Sequence, residues 1–430
     1  MNAEILTIGS ELLTPGRQDT NAAYLIEQLA SLGILVIHRA TIPDDRRAIA
    51  EAAEQALFRS DLVLATGGLG PTSDDVTREG FGDALSLALR FDAGVLETIR
   101  RRFERRGIAM PEVNRKQAEV LEGAEILANP VGTAPGLWLT VPTAGTPGRL
   151  AAAKEVVLLP GPPPELHSIF ETHVLGRLAR LAASAKGIVY ITKRLFVAGL
   201  PESVVEERIG AIYRDIENPR TTILASPGQV EIHTVAKAGT ASEASTTNEA
   251  LATKIRAVLG NHIFSEAGES LEEVVGRLLA ERSLSLAVAE SCTGGLITHR
   301  LTQVAGSSRY LERGFITYSN ASKVELLGVD AELIRSHGAV SLEVAESMAR
   351  GARTHAGTDI AIAVIGIAGP AGGTAEKPVG LVFIAVCDEG ACLVRRFLFP
   401  GNRAQVKRWS SQMALDLLRW RLLGEEMPPF

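Results

Sequence analysis

Apolar positions in the first 175 residues fall into short runs that alternate with helical patterns. Runs of strand length cover Glu4–Ile8, Leu35–Ala40 and Leu62–Thr66. Between them, Asn21–Leu32 and Arg46–Phe58 repeat with the period of an α-helix. Strands and helices in alternation predict a mostly parallel sheet that is covered by helices on both faces.

The hydrophobic pattern changes twice after this segment. Strand-like runs at Ile188–Ala198, Thr221–Ala225 and Val230–Ala236 occur around helical segments and predict a small α+β middle domain. From about Glu269 a second α/β alternation begins, with a strand at Ser285–Ala289. The fold class is therefore α/β, and we expect three domains, at residues 1–175, 186–262 and 265–425.

Composition excludes several classes of protein. The chain has 430 residues, of which 46% are hydrophobic and 22% charged, and this is typical of globular α/β proteins. A formal net charge of -6 offers no basic surplus for a phosphate backbone, so we expect no direct nucleic-acid binding. Three cysteines cannot form a paired framework, and no segment resembles an export signal or a membrane span. We expect a cytoplasmic protein that does not contact a membrane.

One strand near the C-terminal third leads into a glycine-containing turn and then a helix. The apolar run Leu284–Ala289 is followed by Glu290, Ser291 and two glycines before helical periodicity starts at Leu296. Free backbone N–H groups at such a helix start would hold an anion or a developing oxyanion. The hydroxyl of Ser291 would face the same spot, as acyl transfer requires.

A serine nucleophile needs a group that takes its proton, and the next predicted strand supplies candidates. Tyr318 lies in the predicted strand Gly314–Ser319, and Lys323 follows five residues later. A lysine desolvated beside a phenol has a lowered pKa and could accept the proton directly or through the tyrosine. Spacing alone leaves open a helix cap at Ser291, packing at Tyr318 and a surface charge at Lys323.

Several motifs of the last 160 residues resemble one known family. The runs AESCTGGLI (289–297), GFITYSNASK (314–323), GIAGPAGG (366–373) and PGNR (400–403) look like the C-terminal domain of CinA proteins, the nicotinamide-nucleotide deamidase family. The resemblance implies hydrolysis of nicotinamide mononucleotide (NMN) to nicotinate mononucleotide and ammonia, without a metal. It also implies Ser291 as nucleophile, assisted by Tyr318 and Lys323.

The same resemblance implies the residues that bind NMN. These are Thr293, Gly294, Gly295, Gly366, Ala368, Gly369 and Arg403. We expect Arg403 to hold the nucleotide phosphate, because a guanidinium pairs with phosphate through two hydrogen bonds. Cys292 is a rival nucleophile, since a helix N-terminus acidifies a thiol. Ile365 lies where the family commonly has threonine, and His337 lies in a family motif as a possible ligand contact or loop-ordering residue.

A glycine-rich loop in the first domain also carries candidate chemistry. The segment Thr66–Thr77 follows an apolar strand, and its glycine amides could cradle phosphates while Asp74 and Asp75 hold Mg²⁺. The two aspartates could instead only cap the following helix. Together with Gly9–Leu13 and Asn114–Gln117, the loop resembles the molybdopterin-binding-like N-terminal domain of CinA proteins, a three-layer fold.

That second resemblance implies an ADP-ribose pyrophosphatase that uses a divalent metal, with Mg²⁺ expected. It implies phosphate contacts at Gly67, Gly68, Gly70 and Ser73 and metal ligands at Asp74, Asp75, Glu11 and Asp19. Ser10 replaces an aspartate of many relatives, which removes one potential ligand.

Two functional hypotheses follow. The first is a homodimeric enzyme of pyridine nucleotide recycling that acts on NMN and ADP-ribose. The second is a non-catalytic protein that binds a nucleotide or molybdopterin and is linked to competence or the DNA damage response.

Overall fold

The computed structural model describes residues 1–142, 153–184 and 188–428. These residues form two compact units, Met1–Thr192 with Ala236–Asn248 and Lys193–Val235 with Glu249–Phe430. The first two residues of the predicted middle domain, 186 and 187, lie outside the described residues. Among the described residues, no helix is both long enough and apolar enough to cross a lipid bilayer.

The first unit is built on one mixed sheet. Its strands are β1 (Asn2–Ile8), β2 (Leu35–Ile42), β3 (Leu62–Thr66), β6 (Glu125–Leu127), β7 (Gly136–Val141) and β8 (Lys154–Leu159), and a separate pair consists of β4 (Leu89–Phe91) and β5 (Glu119–Leu121). The strands of the sheet lie in the order β2-β1-β3-β8-β7-β6. The first four run parallel to one another, and β7 and β6 are each antiparallel to the strand before them in this order. The predicted mostly parallel sheet is confirmed.

Helices cover both faces of this sheet because its central strands are apolar on both sides. In β1, Ile5 belongs to one hydrophobic core and Leu6 to the core on the opposite face. The helices are α1 (Thr20–Ser31), α2 (Arg46–Arg59), α3 (Thr77–Leu85), α4 (Ala93–Glu104), α5 (Pro163–Ile169) and α6 (Leu175–Ser184). The three-layer arrangement agrees with the predicted fold class.

Four further strands form a second sheet in the order β10-β11-β9-β12. They are β9 (Val189–Ala198), β10 (Arg220–Ser226), β11 (Gln229–Ala238) and β12 (Ile263–Ser265), with helices α7 (Glu202–Tyr213) and α8 (Ala241–Leu259). In the second unit, Leu195, Val205, Ile232 and Ile255 pack into one hydrophobic cluster between these elements.

The remaining residues of the second unit form a five-stranded sheet in the order β14-β13-β15-β16-β17. The strands are β13 (Leu286–Glu290), β14 (Leu311–Ile316), β15 (Ile360–Gly366), β16 (Leu381–Cys387) and β17 (Cys392–Leu398). The helices are α9 (Leu271–Glu281), α10 (Leu296–Gln303), α11 (Asn320–Leu327), α12 (Ala331–His337), α13 (Leu342–Ala356) and α14 (Arg403–Leu423). β13 is parallel to both of its neighbours, so β14 and β15 end at the same edge as Glu290.

Two local expectations for this sheet differ from the structure. β14 ends at Ile316 rather than at Ser319, because Ser319 caps α11 and the chain must leave the sheet to reach that cap. Cys387 and Cys392 form a disulfide, although we expected three cysteines not to form a paired framework. The β16–β17 hairpin places these two residues directly opposite each other, which their spacing in the sequence does not reveal.

Candidate active sites

The turn after β13 holds Ser291 at the edge where three parallel strands end. The amide of Ser291 donates to the carbonyl of Val364 on β15 at 2.9 Å, so the neighbouring strand fixes the start of the turn. Gly294 and Gly295 have φ values of 62° and 93°, in the left-handed region that favours glycine. The glycines let the chain reverse into α10 directly after the serine.

Lys323 contacts Ser291 from the first turn of α11. Its Nζ lies 3.4 Å from the Ser291 Oγ and donates to the carbonyl of Thr317 at 2.8 Å. The lysine is 1% exposed and Ser291 is 7% exposed. Burial lowers the pKa of Lys323, because a buried ammonium loses its hydration. The Nζ also donates to the carbonyls of Tyr318 and Ser319 at 3.2 and 3.3 Å. No carboxylate among the described residues lies within salt-bridge distance of Lys323, so its amine lies against the serine hydroxyl without a counter-ion.

The N-terminus of α10 is already occupied by a side chain of the protein. The fully buried carboxylate of Glu290 accepts hydrogen bonds from the amides of Gly295, Ile297 and Thr298 at 3.0, 3.1 and 2.8 Å. The Thr298 hydroxyl donates to the same carboxylate at 2.8 Å. The expectation that these amides are free for an oxyanion is therefore wrong. Glu290 instead fixes the turn that carries the serine.

Cys292 is unsuited to be the nucleophile. Its side chain is buried, and burial raises the pKa of its thiol to about 12. The acidifying effect of a helix N-terminus is weakened here, because Glu290 neutralises the positive end of α10. At neutral pH the thiolate fraction is negligible, which leaves Ser291 as the candidate in this turn.

Tyr318 lies close to Lys323 through its backbone rather than through its phenol. Its carbonyl accepts a hydrogen bond from the lysine Nζ at 3.2 Å, while its side chain is 60% exposed. Arg403 Nη2 donates to the phenol oxygen at 3.1 Å, and Nη1 donates to the carbonyl of Gly369 at 2.9 Å. The structure therefore brings Arg403, Tyr318 and Gly369 together on the exposed side of the turn.

Three of the remaining predicted residues of this site have little access to a ligand. Thr293 and Ala368 are buried. Gly366 packs tightly against β16, because a Cβ added to it would lie 2.6 Å from the carbonyl oxygen of Leu381. Lys407 lies near Gly294 and was not among the residues predicted from the sequence. A Cβ added to Gly294 would lie 3.7 Å from the Lys407 Nζ. Lys407 follows Arg403 by one helical turn, and that spacing was the available signal.

Two further positions have plain structural roles. Ile365 is 1% exposed and packs in the core against α13, so a threonine at this position would meet apolar neighbours here. His337, the last residue of α12, is exposed, and its carbonyl accepts a hydrogen bond from Lys377 at 2.6 Å, which connects the end of this helix to the loop before β16.

The first unit contains a cavity of about 630 Å³ at the ends of its parallel strands. Seven residues of the predicted N-terminal site line it: Glu11, Asp19, Gly67, Gly68, Gly70, Asp74 and Asp75. Ser73 belongs to the same loop but does not line the cavity. The loop is anchored by Lys116, whose Nζ donates to the carbonyls of Thr72 and Asp75 at 3.2 and 2.6 Å.

Two glycines of this loop lie where a side chain would clash with neighbouring atoms. Gly67 has a φ of 101°, and a Cβ there would lie 2.0 Å from the carbonyl oxygen of Ile8. A Cβ on Gly68 would lie 2.1 Å from the Thr77 hydroxyl. Side chains at either position would push the loop away from β1 and α3 and change the shape of the cavity.

The four predicted metal ligands are held in different ways. Asp19 caps α1 through the amide of Ala22 at 2.9 Å and accepts from the Thr7 hydroxyl at 2.8 Å. Asp75 accepts from the amide of Thr72 at 2.8 Å. Glu11 and Asp74 are exposed, and a hydrogen bond from the Thr72 side chain lowers the pKa of Asp74. Among the described residues, no three or more His, Cys, Asp or Glu side chains are grouped to hold a metal ion.

The alternative that Asp74 and Asp75 cap the next helix is wrong. α3 has Val76 at its N-cap position, without a side-chain cap. Ser10, where the resemblance implied an aspartate in many relatives, is bonded to Asp44: its amide donates to the Asp44 carboxylate at 2.6 Å, and its hydroxyl accepts from the amide of Asp44 at 3.0 Å.

Three protein-family profiles match the chain. They are described as CinA C-terminal domain (residues 268–422), "Probable molybdopterin binding domain" (residues 4–180) and Damage-inducible protein CinA KH domain (residues 192–265).

Similar proteins extend over nearly the full chain. A CinA-like protein of Solibacter usitatus is 45% identical over 425 residues, which covers 99% of both chains. A CinA-like protein of Koribacter versatilis is 44% identical over 98% of this chain and 100% of its own. The crystal structure of a competence/damage inducible protein from Agrobacterium tumefaciens is 40% identical, covers 36% of this chain and 97% of its own, and has a TM-score of 0.34. The two CinA-like proteins are 45% and 44% identical to this chain over almost its whole length, so the chain belongs to the CinA family.

Proposed function

We propose that the C-terminal part of the chain hydrolyses the amide of nicotinamide mononucleotide, with Ser291 as nucleophile and Lys323 as general base. The observation that carries this proposal is the 3.4 Å contact between the Lys323 Nζ and the Ser291 Oγ. Burial lowers the pKa of the lysine, and this favours the neutral amine that can accept the serine proton.

The reaction proceeds in two steps on the protein's own residues. Ser291 Oγ attacks the amide carbon while its proton moves to Lys323, and the protonated lysine then gives that proton to the departing ammonia. The product of this step is an ester between nicotinate mononucleotide and Ser291. Water attacks the ester, Lys323 takes the proton of the water and returns it to the serine oxygen, and nicotinate mononucleotide leaves. The sum is one amide and one water converted to one carboxylate and one ammonium ion.

Substrate binding is assigned to the exposed side of the turn. Arg403 and Lys407 lie on consecutive turns of α14 and bring two cations near the serine turn. The phosphate monoester of the substrate, held at a fixed distance from its amide, would pair with both Arg403 and Lys407. Tyr318 lies beside Arg403 and would contact the nucleotide there; its assistance to Ser291 remains a prediction from the family resemblance.

The experiment measures ammonia release from NMN by the purified full chain, with a metal chelator present. Ser291→Ala should lower kcat/KM by about 10³-fold or more, because no other hydroxyl of the turn lies against Lys323. Cys292→Ala is the matched control from the next position and should retain activity, since its thiol is buried and protonated. Equal losses in both variants would overturn the assignment of the nucleophile.

We propose a second, metal-assisted activity for the cavity of the first unit, the cleavage of ADP-ribose to AMP and ribose 5-phosphate. The supporting observation is that glycine backbone and six carboxylates line the same cavity, the four predicted ligands together with Asp44 and Glu165. Mg²⁺ is usually held by only one or two carboxylates together with substrate phosphates. Glu11 and Asp74 fit that requirement, because their carboxylates are not committed to a helix cap. When bound, the cation would neutralise the pyrophosphate and help to activate water.

The corresponding experiment follows AMP formation from ADP-ribose with increasing Mg²⁺. Full-length protein should form AMP only with the metal, and Ser291→Ala should have unchanged activity. Absence of AMP at every concentration of Mg²⁺ and Mn²⁺ would remove this activity while leaving the amidase proposal intact.

A further inference from the structure

A second cavity of the first unit has a different chemical character from the cavity described above. It has a volume of about 680 Å³ and lies between α4 and the segment that connects β6 to β7. The cavity wall includes Val95 and Ile99 near the start of α4, which belong to the hydrophobic core and are 8% and 2% exposed. It also includes Arg101 and Arg102 near the end of the helix, Arg105 directly after it and the carboxylate of Asp92 directly before it. Residues three or four positions apart share a helix face, so one face of α4 is apolar at one end and cationic at the other.

The two arginines are not neutralised by acidic neighbours. Among the described residues, neither Arg102 nor Arg105 has a carboxylate within salt-bridge distance, whereas Arg100 and Arg101 both pair with Glu97. Arg102 Nη1 donates to the carbonyl of Pro130 at 2.9 Å, which leaves its other N–H groups available. Unpaired guanidinium groups on a cavity wall are suited to bind an anion.

The opposite wall is fixed in place and partly apolar. It contains Ile126 and Pro135 and the backbone between them. Asn129 holds this backbone, because its side-chain oxygen accepts from the amides of Val131 and Gly132 at 2.9 and 2.7 Å. Its side-chain nitrogen donates to the carbonyl of Ala134 at 2.8 Å. A flat ring could therefore lie against the partly exposed Ile126 while an anionic group reaches the arginines.

We propose that this cavity binds a phosphate-bearing small molecule with a planar ring, of the size of a mononucleotide. Its volume lies within the range of about 300–1,000 Å³ that small-molecule sites occupy. It is distinct from the carboxylate-lined cavity, which is acidic and would repel a phosphate in the absence of a cation. Thr133 lines both cavities, so the experiment must locate the bound molecule.

The test is photolabelling of the full chain with an azido analogue of AMP, without divalent metal, followed by mapping of the labelled peptides by mass spectrometry. Label is expected on the peptides that contain α4 and residues 126–135. Excess AMP should suppress it, and adenosine, which lacks the phosphate, should not. Labelling confined to peptides of the first cavity or of the second unit, or equal suppression by adenosine, would overturn the proposal.

Matched variants show whether the arginines bind the phosphate. Arg102→Gln/Arg105→Gln should reduce labelling at least tenfold, whereas Arg100→Gln/Arg106→Gln removes the same charge from the same end of α4 outside the cavity and should leave it unchanged. Arg105→Gln alone should still reduce labelling severalfold and avoids the loss of the Arg102 contact to Pro130. Undiminished labelling in Arg105→Gln and in the folded double variant would contradict the proposal.

Discussion

The two candidate active sites hold their reactive groups in opposite ways. In the C-terminal site, Ser291 and Lys323 are buried and already in contact at 3.4 Å. In the N-terminal site, the carboxylates line an open cavity; Asp19 is bonded to its own helix and Asp74 is exposed. Under the proposed functions, the first arrangement would move a proton as soon as substrate arrives, whereas the second would need a cation and a substrate to complete it.

This difference predicts where each site is vulnerable. The C-terminal site depends on two side chains that no neighbour can replace. The N-terminal site distributes its role over several carboxylates and a loop, so single substitutions there should have smaller effects.

Lys323→Met should cause the largest loss. Removing the general base should lower kcat/KM for NMN by about 10³-fold, within the range of about 10²–10⁴ that general-base catalysis contributes. ADP-ribose cleavage by the same preparation should be unaffected and reports that the chain is folded. An amidase that survives this substitution would show that another group takes the serine proton.

Asp75→Asn should have an intermediate effect on the other site. We expect a loss of about 10- to 100-fold in AMP formation, because Asp75 both lines the cavity and holds the amide of Thr72. Amide hydrolysis should remain at the wild-type rate. The comparison between the two sites would fail if this single change abolished AMP formation as completely as Lys323→Met abolishes amide hydrolysis.

The pH dependence of the amidase should carry the signature of the buried lysine. Because burial lowers the pKa of Lys323 below that of an ordinary lysine, kcat/KM should rise with pH and level off above the lowered pKa. Below that pKa it should fall by about tenfold per pH unit as the amine becomes protonated. The measurement is a profile of kcat/KM for NMN, and a limb that appears only near the ordinary lysine pKa of about 10.4 would contradict the assigned role.

Lys407→Gln should have the smallest effect. Its charge lies near Gly294 on the exposed side of the turn, so its loss should raise KM for NMN by about three- to tenfold while kcat stays constant. Arg408→Gln, which removes a charge from the next position of the same helix, is the control. A fall in kcat without a change in KM would assign Lys407 to the chemical step instead.

The sequence pattern was sufficient for the layers of the fold and for placing Ser291 in a turn between a strand and a helix. Apolar strands such as β3 and β13 must be buried on both faces, and a turn with two glycines after a strand restricts where a serine can be presented. These are local properties that depend on neighbouring residues in the chain. The same holds for the glycine loop that follows β3.

Which side chains fill each site, and which partners they bind, depends on contacts between distant segments of the chain. The sequence pattern did not predict these contacts. The amides of α10 looked free in the sequence, and only the folded turn shows that Glu290 occupies them. The burial of Cys292 and the pairing of Cys387 with Cys392 depend on tertiary packing and strand register. The Tyr318 phenol meets Arg403, which is 85 positions away in the chain.

The buried thiol next to Ser291 determines which covalent probes should work on this protein. Alkylating reagents such as iodoacetamide need a thiolate that solvent can reach, and Cys292 provides neither property. Small electrophiles that react with hydroxyl groups, such as boronic acids joined to a nicotinamide-like ring, match the turn better. Inhibitor design would then follow the practice developed for serine hydrolases rather than that for cysteine enzymes, despite the Ser-Cys pair in the turn.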